Sequence, residues 1–298
     1  MKAKLTNTGK ILFPESKITK GDLIEYYQKI APYMIPKIKN RPISMLRYPN
    51  GIHKGGFFQK NISDFFPTRI QRKRIVKKGG ESISMIICND SSTLAYLANL
   101  ACITPHIWLS RIDKIRYPDR MIFDLDPPPL TGLFSKVVDA AKTLRKLLEK
   151  ELRLTAFVMT TGSKGLHVVV PIKRELKFSK VRAFARSVAE VMVQREPSKY
   201  TTNPRLGKRG ERIFIDYLRN GYAQTGVAPY AVRPLEGAPV AAPISWEELT
   251  PSFTVQKYTL KNMLKRAKRK DPWRGIDRSA RSLMAPLRQM HAIKTKSP

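Results

Sequence analysis

The sequence predicts an α+β protein of mixed and antiparallel sheets flanked by helices, and three features carry that expectation. Residues 120–126 alternate Met121, Phe123 and Leu125 with Ile122, Asp124 and Asp126, a period of two that marks a strand with one apolar face. Two further apolar runs, 157–160 and 166–171, flank the tight turn Thr161-Gly162-Ser163-Lys164-Gly165. Helical spacing sets Val137, Val138, Ala141, Leu144, Leu147 and Leu148 inward after Ser135, and Val181, Phe184, Val188 and Val191 inward after a Ser179 cap.

Composition bounds the rest. An apolar fraction of 42% with 9% aromatics suits a folded chain rather than a disordered one. No apolar run approaches the roughly 18 residues of a membrane span, and the first residues lack the apolar core of a signal peptide, so a cytoplasmic protein with no membrane partner is expected. Cys88 and Cys102 are not spaced as a metal motif and read as buried thiols. The formal charge of +33 has no benefit for stability, so a polyanionic partner is implied, nucleic acid above all.

From the N-terminus, Thr19 and Asp22 have capping-box spacing, and Leu23, Ile24, Tyr27 and Ile30 share a helical face that Pro32 should end. Lys10 and Lys20 flank this unit and, on sequence alone, read as solvated. Pro42 to Tyr48 is strand-like, followed by the turn Pro49-Asn50-Gly51. Adjacent Phe57 and Phe58 point opposite ways on an extended chain, so either one is core and its neighbour a platform for a stacked base, or both are core. Between Arg69 and Lys78 lie six basic residues and no acid, a charged rim suited to phosphates. Ser82 to Cys88 reads as a strand and Thr93 to Ala101 as a helix. His106 precedes the double-Asp strand. Arg212 to Tyr217 is another strand, carrying Asp216, and from Pro251 onward 13 basic residues face only Asp271 and Asp277.

The double-Asp strand carries the chemistry. Paired carboxylates on a sheet repel unless a cation neutralises them, and Pro127 to Pro129 must stop the strand directly after Asp126. Asp216 is a third carboxylate for the same purpose. Hard oxygen ligands without cysteine suit two divalent ions, Mg²⁺ or Mn²⁺. The turn places two glycines beside Thr161, Ser163, Lys164 and His167, a set suited to a triphosphate. Together these features fit two-metal nucleotidyl transfer, in which the ions activate a 3′-hydroxyl and stabilise the leaving pyrophosphate. Paired acids alone also serve glycosyltransferases and nucleases.

A resemblance sharpens this. Leu5-Thr6-Asn7 with Lys10, Arg47-Tyr48-Pro49-Asn50-Gly51, Phe57-Phe58, Phe123-Asp124-Leu125-Asp126-Pro127, Gly162-Ser163-Lys164-Gly165-Leu166-His167, Arg212-Ile213-Phe214-Ile215-Asp216-Tyr217, Ala228-Pro229-Tyr230 and Asp271-Pro272-Trp273 stand in the order found in polymerase domains of bacterial ATP-dependent DNA ligase D. The chain resembles these members of the archaeo-eukaryotic primase superfamily over about residues 5 to 275. With no ligase or nuclease motif attached, it looks like a stand-alone version.

The resemblance implies a primase-like core with a half similar to the RNA-recognition fold. It implies a catalytic domain over 1–275, with an N-terminal lobe over about 1–115 and a catalytic sheet over about 116–250, followed by a basic tail at 276–298. It makes Asp124, Asp126 and Asp216 the metal ligands and catalytic acids. His106, Thr161, Ser163, Lys164, His167 and Arg233 become nucleotide-binding residues. Asn7, Lys10 and Lys20 become a pocket for a DNA 5′-phosphate, replacing the solvated reading, and Phe57 and Phe58 the template-stacking pair. The implied activity is gap-filling extension of a primer 3′ end at DNA breaks in non-homologous end joining. Implied with it are readiness for ribonucleotides, preference for Mn²⁺, use of NTP or dNTP on duplex DNA with gaps, overhangs or breaks, and work with Ku and a separate ligase at the nucleoid. A de novo primase, a two-metal nuclease and a non-catalytic DNA-binding subunit are the alternatives. Two positions depart from some members: Thr161, where Ser is found, and Arg219, where Gln is found.

Overall fold

The computed structural model describes residues 5–63, 65–76, 80–128, 134–250 and 252–296. Pro129, Lys77, Lys78 and Pro251, which bear on the sequence expectations above, lie outside these. In chain order the elements are β1 (Ile11–Phe13), β2 (Ile18–Thr19), α1 (Lys20–Ile38), β3 (Pro42–Arg47), β4 (Phe57–Gln59), β5 (Arg72–Val76), β6 (Ser82–Ile87), α2 (Ser91–Asn99) and β7 (Cys102–Trp108). They continue with β8 (Arg120–Asp126), α3 (Phe134–Lys146), β9 (Phe157–Thr160), β10 (Leu166–Pro171), α4 (Phe178–Arg195), β11 (Tyr200–Thr201) and β12 (Ile213–Asp216). The chain closes with β13 (Thr225–Val227), β14 (Pro243–Ile244), α5 (Met263–Ala267) and α6 (Met284–Lys296). No described helix is long and apolar enough to cross a membrane.

These elements form two compact units. The first holds 1–113, 225–242 and 256–271; the second holds 114–224, 243–255 and 272–298. Neither is one contiguous segment, because β13 returns to the edge of β7 while β14 adds to β9.

In the first unit, β13-β7-β3-β6-β5 make an antiparallel sheet, and β4 shares one edge of β3 with β6. Thr19 and Asp22 form the expected capping box on α1. The helix does not stop at Pro32: it continues through Pro32 and Pro36 to Ile38. Both prolines are exposed, as is Gln28, whose carbonyl loses its helical partner at Pro32. Water can serve that carbonyl, while Met34 and Ile38 are fully buried on the other face. Helix α2 is capped by Asp90, which accepts from Thr93 N at 2.8 Å. Cys88 and Cys102 are buried and free.

In the second unit the sheet order is β11-β12-β8-β10-β9-β14. Its core, β8-α3-β9-β10-α4-β12, is a βαββαβ unit whose four strands lie in the order β12-β8-β10-β9, all antiparallel. This is the ferredoxin-like arrangement, the RNA-recognition-type half that the sequence leads one to expect. Helices α3 and α4 pack on the sheet. Their buried Val137, Ala141, Leu144, Val181, Phe184 and Val188 require an apolar partner, which is the Phe123 and Leu125 face of β8. The acids therefore occupy the opposite face.

Two local expectations change. Helix α4 begins at Phe178, and its N-cap Lys177 makes no side-chain cap bond, so Ser179 is not the cap. Burial of Phe178 against Tyr222, ring centroids 5.7 Å apart, anchors that first turn instead. The basic stretch expected as a tail at 276–298 is integrated through its described residues 276–296. Residues 284–296 form α6, which packs on α4, with Leu283, Pro286 and Met290 buried at helical spacing. Nearby, Trp273 is buried and donates Nε1 to Val158 O at 3.0 Å.

Asn220 fastens β8 in place. Fully buried, it accepts from Ile122 N at 2.9 Å and donates to Ile122 O at 2.7 Å and Tyr217 O at 2.9 Å. Asn220→Ala strands both main-chain groups of Ile122, and urea denaturation should show a loss of about 2–4 kcal/mol.

Candidate functional site

The three aspartates converge through strand pairing. β12 sets Asp216 opposite Asp124 and Phe214 opposite Asp126. On the other side of β8, β10 sets His167 opposite Asp124. Asp216, Asp124 and His167 thus form a row across three strands, with Asp126 two residues on at the strand end. Asp124, Asp216 and His167 are each less than 9% exposed. His167 Nε2 lies 3.3 Å from Asp124 Oδ2, while His167 Nδ1 is buried without a hydrogen bond among the described residues.

Electrostatics in this row disfavour the charged carboxylates. Burial, then the neighbouring Asp124 and Asp216, push the Asp126 carboxyl up to about 7, against the pull of His167 and Arg209. Burial also raises the Asp216 carboxyl, although Leu218 N–H donates to it at 2.7 Å and Arg219 stands beside it. Carboxylates on neighbouring strand positions in a low dielectric are the chemistry that hard divalent ions fit.

Two arginines share the site without having been assigned a role from the sequence. Arg219 Nε lies 3.6 Å from Asp124 Oδ2 and 3.5 Å from Asp216 Oδ2. Arg209 is buried, with its guanidinium 3.9 Å from the Phe214 ring centroid and bonded to the Asn203 and Pro204 carbonyls. Its neighbours Arg205, Lys208 and Arg212 make it look like one more surface cation in the sequence. Arg219 had a signal in its spacing, three residues after Asp216.

The glycine turn is bonded within itself and packs on the end of β8. Thr161 Oγ1 accepts from Gly165 N at 3.1 Å and Ser163 N at 3.4 Å, and Thr161 N donates to Gly165 O at 3.0 Å. Gly162 sits at φ +68°, where a side chain strains the backbone. A Cβ on Gly165 would lie 2.1 Å from Leu125 O, inside β8 itself. Lys164 is exposed at the tip, with no ion pair among the described residues.

The first unit holds the other expected residues. Lys20, only 6% exposed, donates Nζ to Asn99 O at 3.1 Å and Thr6 Oγ1 at 3.4 Å. Burial, and after it the nearby Lys10, lower the pKa of its ammonium. Lys10 Nζ donates to Asn50 Oδ1 at 2.9 Å. Main-chain bonds from Lys20 N to Lys10 O and from Gly21 N to Thr8 O fold the segment over the start of α1. Asn7, at φ +47°, accepts from Lys10 N at 3.1 Å. Two ammoniums beside a helix N-terminus suit an anion.

Phe57 and Phe58 are 48% and 54% exposed, so neither enters the core. The three-residue β4 pairs with the end of β3 and leaves both its faces open. Arg47, bonded to Gln59 Oε1 and Leu100 O, stands 5.4 Å over the Phe57 ring. Phe58 meets the His106 ring edge-on at 5.2 Å. His106 lies on β7 between Ser44 and Val227, and Arg233 lies in the segment after β13. The nucleotide set is therefore divided: Thr161, Ser163, Lys164 and His167 belong to the second unit, His106 and Arg233 to the first.

Comparison with known proteins gives this geometry a lineage. Residues 19–273 match the family described as LigD, primase-polymerase domain. The chain is 32% identical over 269 residues to the bifunctional non-homologous end joining protein LigD of Bacillus subtilis (strain 168), covering 90% of this chain and 43% of that protein. It is 32% identical over 250 residues to the multifunctional LigD of Mycolicibacterium smegmatis, covering 83% and 32%. The chain thus spans less than half the length of the curated relatives it matches. Among solved structures, the polymerase domain from Mycobacterium tuberculosis ligase D in complex with DNA superposes with a TM-score of 0.86 at 28% identity, covering 93% of this chain and 99% of that one.

A carboxyl raised by folding favours the folded state while protonated and loses that advantage as it ionises. In metal-free protein the Asp126 contribution is present below its unfolded value of 3.8 and is lost as pH rises toward about 7. Asp126→Asn should therefore raise metal-free stability near neutral pH by about 1–3 kcal/mol and flatten its pH dependence. Calorimetry in chelator checks both, and added Mn²⁺ should stabilise the parent far more than the variant.

Proposed function

Since the chain belongs to the family of LigD primase-polymerase domains, we propose that it is a DNA-directed nucleotidyltransferase extending primer 3′ ends at gaps and breaks in non-homologous end joining. The observation that carries this reading is the Asp216–Asp124 row with Asp126, set against a glycine turn of triphosphate type. In this reading Asp124, Asp126 and Asp216 hold two divalent ions, Mn²⁺ or Mg²⁺. Those ions supply the positive charge that favours ionisation of the primer 3′-hydroxyl and departure of pyrophosphate.

The protein's own groups position the reactants. His167 orients Asp124 through Nε2, and Arg219 shares the charge of Asp124 and Asp216. Lys164 and the amides of the turn bind the triphosphate oxygens, with Thr161 and Ser163 supplying hydroxyls. The 3′-oxygen forms its bond to the α-phosphorus as the bond to pyrophosphate breaks, and the hydroxyl proton passes to water. His106 and Arg233 of the first unit also take nucleotide contacts. Lys10, Lys20 and Asn7 bind the downstream 5′-phosphate, and Phe57 and Phe58 stack on template bases. Residues 1–275 serve as the catalytic domain in the cytoplasm, at the nucleoid, with Ku and a ligase as partners and with ribonucleotides readily accepted.

The test is extension of a labelled primer across a short gap with a 5′-phosphate, using rNTPs or dNTPs with Mn²⁺ or Mg²⁺. Asp124→Ala/Asp126→Ala should lose extension by about a thousandfold, equivalent to ~4 kcal/mol. Products made without a primer would indicate a primase, and shortened substrate a nuclease. Binding without extension would overturn the enzyme reading. Lys10→Gln should keep extension on gaps with a 5′-hydroxyl while losing roughly tenfold of the preference for a 5′-phosphate, measured as relative affinity.

A further inference from the structure

On the helical face of the second unit lies a cleft of about 430 Å³ lined by Lys142, Arg145, Lys146, Glu149, Lys150 and Trp246. Its wall is ordered by contacts that leave the lysines out. Trp246 donates Nε1 to Ala156 O at 2.9 Å, and Arg145 lies 4.8 Å over its ring while bonding Glu149 Oε2 at 2.9 Å. The carboxylates around the cleft are already committed. Glu149 also accepts from Ala156 N, Glu151 is held by both terminal nitrogens of Arg195, and Glu248 caps Ser245 N. Glu247 is exposed and accepts from the Ser245 side chain.

Lys142, Lys146 and Lys150 are exposed, and none is within ion-pair distance of a carboxylate among the described residues. Spaced four apart, they would drift around a regular α-helix. The chain instead widens into a π turn at Leu147–Glu151, which rotates Lys150 back toward the line of Lys142. The result is a row of three cations over about 12 Å. Helix α3 packs on the apolar face of the sheet, so this row points away from Asp124, Asp126 and Asp216.

We propose that this cleft is a second DNA site, taking the phosphodiester backbone of a duplex segment other than the one whose 3′ end is extended. The inference rests on the polymerase reading. A linear row of ammoniums, none ion-paired among the described residues, matches a phosphate backbone, and the surrounding carboxylates are mostly engaged elsewhere in a chain of charge +33. Duplex DNA is stiff over ~150 base pairs, so one short straight segment does not serve both faces of a sheet covered by helices on one side. Two segments do.

The experiment titrates the whole protein with a labelled continuous duplex of about 20 base pairs, rigid on this scale, and counts bound duplexes at low salt by sedimentation. The parent should bind two, and Lys142→Gln/Lys146→Gln/Lys150→Gln only one. The weaker step of the parent should have a log–log salt slope of about −2 to −3. Primer extension on saturating gapped duplex should be unchanged in the variant, and its melting temperature should match the parent's because the lysines are exposed. One duplex bound by the parent, two by the variant, or extension lost with the second duplex, would each overturn the proposal. A parent that binds two duplexes but extends none would sink the polymerase reading instead.

Discussion

The second unit is organised around a repulsion. Strand pairing brings Asp216 directly across from Asp124, with Asp126 at the end of the same strand, and burial denies Asp124 and Asp216, and in part Asp126, the water that would screen them. Left alone, such a group resists ionisation, as the upward shift of the Asp126 carboxyl reflects. The surroundings moderate it without cancelling it: a histidine on the next strand, an arginine three residues beyond Asp216, and one amide from Leu218. A strand held less firmly would yield by moving the acids apart. Asn220 bonds both main-chain groups of Ile122 and so keeps β8 from yielding.

The first unit solves the reverse problem with cations. Lys20 is enclosed but spends its protons on Asn99 O and Thr6 Oγ1, and Lys10 is tethered by Asn50. Both ammoniums are thus preorganised beside the start of α1, and an arriving anion meets them with little further loss of side-chain freedom. Phe57 and Phe58 are exposed for a related reason: a three-residue edge strand has no second layer to bury them, so they remain at the surface where a flat ring can lie on them.

What could be read from the sequence was what is local. The alternation of 120–126 and the prolines after it fix a strand and its end, and the two glycines around Ser163 and Lys164 fix a turn. The capping box of α1 follows from two residues three apart. Where the reading failed, the answer lay in which side of an element faced water. Pro32 interrupts nothing because it is on the wet side of α1, and α6 is embedded because Leu283, Pro286 and Met290 recur at helical spacing beneath a conspicuous count of cations. The convergence of Asp216 with Asp124 needed a register between residues 92 apart in sequence, which the motif order suggested and no local pattern could supply. Arg209 stayed hidden for a similar reason, since only the fold separates a buried guanidinium from its solvated neighbours.

Gly165 has a consequence for how such a domain can diversify. Every other amino acid carries a Cβ, and here that atom would coincide with the carbonyl of Leu125. Any inherited change at this position must therefore arrive with a displaced strand end, and displacing that end carries Asp126 with it. Exposed Lys164 at the tip meets no such backbone obstacle, while position 165 is closed to gradual drift. The spacing between the glycine turn and the acids is in this sense inherited as a unit.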